Sequence, residues 1–94
     1  MISKEQKEII IEKLSPYHPS QIGIFGSYSR NENSEKSDLD ILVSFNGNPT
    51  LFDLIDMENI LSTFLGVKID LVTEKSIHPK LKPYIDKDLQ IIYG

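Results

Sequence analysis

Asp38-Leu39-Asp40-Ile41-Leu42-Val43, running on to Phe45, is the strongest strand signal in the chain. Side chains alternate across a strand, so Leu39, Ile41 and Val43 face a core while Asp38, Asp40 and Leu42 share the other face. A second run, Val67-Lys68-Ile69-Asp70-Leu71-Val72, repeats the pattern, with Asp70 opposite Val67, Ile69 and Leu71. Between the two strands, Thr50 and Asp53 form a capping signal. After it, Leu51, Leu54, Ile55, Glu58, Leu61, Phe64 and Leu65 recur at helical steps until Gly66. This predicts a helix over 51–65 and, because the helix carries the chain back across the sheet, parallel pairing of its flanking strands.

Working outward, Ser3 with Gln6 reads as a capping box for a helix over 3–15, ended by Pro16. Gln21 to Phe25 is a short strand closed by Gly26, and Gly26 to Ser37 is polar and loop-like. A short helical piece near Pro79 to Lys87 and a strand over Leu89 to Tyr93 complete the order. The expected fold is a mixed α/β (α+β) domain spanning 1–94, with a small mixed central sheet flanked by helices. Ten basic against 14 acidic residues and a net charge of -4 provide no field for extended nucleic-acid binding. The absence of cysteine excludes a disulfide framework and thiolate metal sites. No stretch approaches the roughly 20 apolar residues of a membrane span, and the N-terminus lacks a signal-peptide core. The expected setting is cytoplasmic.

Two carboxylates two residues apart on one face of a strand repel each other unless a cation or a basic partner offsets them. If the two strands pair with matching faces, Asp70 joins Asp38 and Asp40 in one cluster. Hard oxygen donors in this number suit Mg²⁺, or Mn²⁺, rather than zinc. Magnesium commonly completes its shell with water and substrate phosphates, which points to a nucleotide. Gly26-Ser27, where the first strand ends, supplies a candidate phosphate cradle: glycine allows close approach, and the serine hydroxyl and the amides of the following turn can donate. Arg30, the only arginine, can serve a phosphate or the carboxylate cluster, and the residues do not decide which. The segment matches neither G-x-x-x-x-G-K-[ST] nor G-x-G-x-x-G, so kinase-like and dinucleotide-binding readings lose support. Tyr28 and Tyr84 are expected to pack, and His18 and His78 to face solvent.

Gly26-Ser27, ten intervening residues, Asp38-x-Asp40 and a later Asp70 together resemble the DNA polymerase β-type nucleotidyltransferase superfamily. They are most similar to its smallest branch, the minimal nucleotidyltransferase (MNT) antitoxins of the HEPN/MNT toxin–antitoxin type. The resemblance runs through GIFGSYSRNENSEKSDLDILV (23–43), KIDLVT (68–73) and YIDKDLQIIYG (84–94). It implies that Asp38, Asp40 and Asp70 form a catalytic triad holding two Mg²⁺ and that Gly26 and Ser27 hold the nucleotide phosphates. It further implies ATP as substrate and AMP transfer to a tyrosine of a HEPN ribonuclease toxin. The branch usually has Arg-Gly where this chain has Arg30-Asn31, which asks an asparagine to take a backbone shape glycine adopts more readily. Two other functions fit part of the pattern: an antitoxin that acts by occlusion with its aspartates idle, and transfer to a small molecule such as an aminoglycoside. Larger enzymes of the superfamily carry extra domains for their second substrate, so the acceptor here is expected to bring its own surface.

Overall fold

The computed structural model describes residues 2–34 and 37–94; positions 35 and 36 of the polar stretch lie outside the described residues. Both predicted helix starts are reciprocal capping boxes. Ser3 Oγ accepts the Gln6 N–H (3.1 Å) while Gln6 Oε1 accepts the Ser3 N–H (2.8 Å). Thr50 and Asp53 do the same at 3.1 and 2.9 Å. These caps satisfy amides that a helix start leaves without partners. They open α1 (Lys4–Leu14) and α2 (Leu51–Leu65), and Gly66 ends α2 in the left-handed conformation at φ 70. A third helix, α3, spans Lys82–Asp88.

The strands are β1 (Pro19–Phe25), β2 (Leu39–Phe45), β3 (Ile69–Thr73) and β4 (Gln90–Tyr93), in the sheet order β3-β2-β1-β4. β1 runs antiparallel to β2 and β4, while β2 and β3 are parallel, as the α2 crossover requires. β1 begins two residues before the Gln21 start expected from sequence. Pro19 fits there because the first position of a strand tolerates a missing N–H, and a register shift follows between Pro19 and Gln21.

One face of the sheet is covered by α1 and α2. Ile22, Ile24, Leu39, Ile41 and Val43 pack there against Ile10, Leu14, Met57 and Leu61, all buried. Full burial of one such side chain contributes about 1.5–3 kcal/mol, so this face dominates the stability of the fold. The register puts Asp40 and Asp70 side by side in one row of the opposite face and Leu42, Val72, Gly23 and Ile91 in the next. Leu89, at the end of α3, covers Gly23; a Cβ there would come to 2.5 Å from Leu89 Cδ1. Since β3 is an edge strand, its backbone needs protection, and Glu58 of α2 supplies some by accepting the Leu71 N–H (3.2 Å). Among the described residues no helix is long and apolar enough to cross a membrane. Tyr28 packs as expected, but Tyr84 does not: it is 71% exposed on the short α3.

Candidate active site

The parallel register pairs Asp40 directly with Asp70. Adjacent strands lie about 4.8 Å apart, so the two side chains rise together from neighbouring backbone positions. Their carboxyl groups come within hydrogen-bonding reach. Asp38, just before β2, is held in line because the Leu39 N–H donates to the Lys68 carbonyl (2.9 Å), extending the ladder by one residue. Its carboxylate reaches toward Lys68 Nζ at 3.9 Å. Partial burial, followed by the charges of Asp70 and Asp38, pushes the Asp40 carboxyl up to about 6, with Arg30 opposing the shift. Among the described residues no three His, Cys, Asp or Glu side chains are drawn tightly enough to hold an ion as they stand.

The end of β1 delivers the second half of the site. Gly26 has φ +74, and a Cβ on it would lie 2.2 Å from Asp40 Oδ2. Only glycine satisfies both conditions, so the bend is pressed against the carboxylate. The chain then makes a single helical turn: the Arg30 N–H donates to the Gly26 carbonyl (3.1 Å). It closes with the Asn31 N–H on the Tyr28 carbonyl (3.3 Å) and the Glu32 N–H on the Ser27 carbonyl (2.8 Å). These are the two bonds of a Schellman ending, with Asn31 at φ 59 in the left-handed position. Asparagine thus adopts the backbone that its place beside Arg30 demands. Ser27 is partly buried at the start of the turn, next to Gly26 in the chain.

Arg30 is engaged by acids outside the aspartate row. Its Nε donates to Glu32 Oε2 (3.0 Å) and its Nη1 to Asp88 Oδ2 (2.6 Å), which raises its already high pKa. Sequence reasoning missed the residues around it at the far end of the chain. Ser29 Oγ donates to the Asp88 carbonyl, and Gln90 Nε2 donates to the Ser29 carbonyl (3.1 Å). These partners lie about sixty positions away in sequence, and only the solitary arginine hinted that something would hold it. A separate hollow lined by Val43, Phe45, Leu54, Thr73 and Glu74 opens at the other ends of β2 and β3. Its carboxylate, Glu74, accepts from Ser44 Oγ (2.6 Å), so the hollow lacks the gathered acids of the first site.

Residues 3–92 match the nucleotidyltransferase domain family. The chain belongs to that family. A candidate protein adenylyltransferase of Methanocaldococcus jannaschii is 46% identical to this nucleotidyltransferase over 89 residues, covering 94% of the chain and 88% of the relative. A solved candidate minimal nucleotidyltransferase superposes with TM-score 0.82 at 30% identity, covering 93% of this chain and 89% of the other. The fold is also shared, at TM-score 0.80 and 22% identity, with a chain from the structure of a tri-AMPylated Shewanella oneidensis HEPN toxin in complex with MNT antitoxin, covering 99% and 73% of the two chains. The four-stranded mixed sheet with its helices is the minimal nucleotidyltransferase fold.

Proposed function

We propose that this nucleotidyltransferase moves AMP from ATP onto a tyrosine hydroxyl of a HEPN toxin and so acts as the toxin's antitoxin. Asp38, Asp40 and Asp70 would hold two Mg²⁺, or Mn²⁺, and Gly26, Ser27 and Arg30 the triphosphate, all within one domain. The observation that carries this reading is the Asp40–Asp70 pairing, which brings two acids from separate strands together beside Gly26. The donor set fits the cations: all its groups are hard oxygens, and the Asp40 carboxyl is raised first by burial and then by the neighbouring charges of Asp70 and Asp38. When bound, such ions neutralise a triphosphate and polarise its phosphoryl groups.

The chain's own residues perform the rest. The turn at Gly26–Asn31 would offer its leading amides and the Ser27 hydroxyl to phosphate oxygens, and Arg30 would add a positive charge. Asp70 is exposed on the edge strand, so a macromolecular acceptor can reach it. Its carboxylate accepts the proton of the incoming hydroxyl as the oxygen bonds to the α-phosphorus and pyrophosphate departs. Catalysis on this scheme is mostly positioning and charge stabilisation. The 46% identical relative supports protein adenylylation as the reaction, and the HEPN complex that shares the fold supports the partner class. A cytoplasmic setting, supplied with ATP and magnesium, suits the reaction.

The test mixes the protein with ATP, Mg²⁺ and its HEPN partner and weighs both chains by mass spectrometry. An AMP-sized increment on the partner, absent with Asp40→Asn, is the expected result. Inhibition of the partner with neither mass changed would replace transfer by occlusion.

A further inference from the structure

The turn from Gly26 to Asn31 carries three main-chain hydrogen bonds. A single helical turn does not hold its shape on so few, because nucleation fixes many dihedral angles for little return. Support comes from the junction of α3 and β4. Ile24 of β1 pairs with Gln90 of β4, and continuing that antiparallel register by two residues sets position 88 opposite position 26. Asp88 then reaches the turn twice, through its carbonyl on Ser29 Oγ and its carboxylate on Arg30. Gln90 adds a third tie to the Ser29 carbonyl. Of the two acids on Arg30, the Asp88 side chain is 19% exposed against 64% for Glu32, so the bond to Asp88 is the better shielded and the stronger. Two of the five guanidinium N–H donors are engaged this way among the described residues, and the others remain for an anion.

We propose that Asp88 is a positioning residue for the nucleotide: it fixes the Arg30 guanidinium and the tilt of the Gly26–Asn31 turn against Asp40. The proposal rests on the reading of that turn as the triphosphate site. It adds that the end of the chain, far from the aspartates in sequence, sets the affinity for ATP. The bond between an arginine and a partly buried carboxylate is charge-assisted and directional, so the arm stays aimed before any ligand arrives.

The test uses Asp88→Ala, Asp88→Asn and Asp88→Glu, with Arg30→Ala and the Arg30→Ala/Asp88→Ala double variant. Amide hydrogen exchange is read first, on the nucleotide-free chain. In Asp88→Ala the Arg30 and Glu32 amides should exchange about tenfold faster, the factor expected for one lost charge-assisted hydrogen bond, while Ile22 and Ile41 amides keep their protection. In the transfer assay, KM for ATP should rise about tenfold with kcat changed much less, and Asp88→Glu should recover most of the loss. In the Arg30→Ala background the further Asp88→Ala change should alter KM less than about twofold. Unchanged exchange in the turn, or an equal KM effect without Arg30, overturns the proposal. If Asp88→Ala does not fold, the isosteric Asp88→Asn gives the same exchange reading on a smaller scale, and no change there is equally decisive. Should the parent protein transfer no AMP, the enzymatic reading fails by itself. Hydrogen exchange and binding of a fluorescent ATP analogue would still decide the role of Asp88.

Discussion

Replacing Asp40 by asparagine should make the metal-free protein more stable while it abolishes transfer. The carboxyl sits at about 6 instead of 3.8 because it is partly buried beside Asp70 and Asp38. A raised carboxyl favours the fold only in its neutral form. That contribution is present below about pH 3.8 and disappears as pH climbs through about 6. The difference, at about 1.4 kcal/mol per tenfold in proton affinity, comes to about 3 kcal/mol. Water reaches this half-buried group and screens it, which reduces the effect to about 1 kcal/mol. For a domain of this size, about 1 kcal/mol moves Tm by about 4–8 °C. Calorimetry in chelator should therefore show Asp40→Asn melting above the parent at pH 7.5, by about 4–8 °C, and the gap closing by about pH 3.5. A variant that melts below the parent at pH 7.5, or by an amount independent of pH, would refute the reasoning and make Asp40 a structural partner.

Gly26→Ala should cost about 1–3 kcal/mol by denaturant titration and eliminate transfer, because its Cβ meets Asp40 Oδ2 at 2.2 Å on a left-handed backbone. Asn31 takes φ 59, so Asn31→Ala should lose about 1 kcal/mol and Asn31→Gly less than alanine does; the reverse ranking would contradict the Schellman assignment. Ile41→Ala removes a side chain with no exposed surface and should cost about 2–5 kcal/mol by denaturant titration followed by circular dichroism; a loss under about 1 kcal/mol would contradict its place in the core.

The readable parts of this fold were those governed by local rules. Both capping boxes, the α2 period and the alternation around Asp38–Val43 report their own environment within a few residues. The α2 crossover constrained β2 and β3 to be parallel, and equal spacing then put Asp40 beside Asp70. The position of β1 between β2 and β4 was not legible, since no local signal sets sheet order in a mixed sheet. For the same reason Asp88 escaped notice. Its importance arises from the β1–β4 register, which connects residues about sixty apart. Tyr84 misled because aromatic residues usually pack, whereas a seven-residue helix at the rim leaves this one in solvent.

Paramagnetic broadening by Mn²⁺ examines most directly whether acids from two strands form one cation pocket beside the Gly26 turn. With ¹⁵N-labelled protein and a non-hydrolysable ATP analogue, trace Mn²⁺ should broaden amides at 26–28, 38–41 and 69–71 together, and Asp40→Asn should abolish the effect. Broadening centred on the hollow around Glu74, or affecting the neighbourhood of Asp38 and Asp40 while sparing Asp70, would contradict the account.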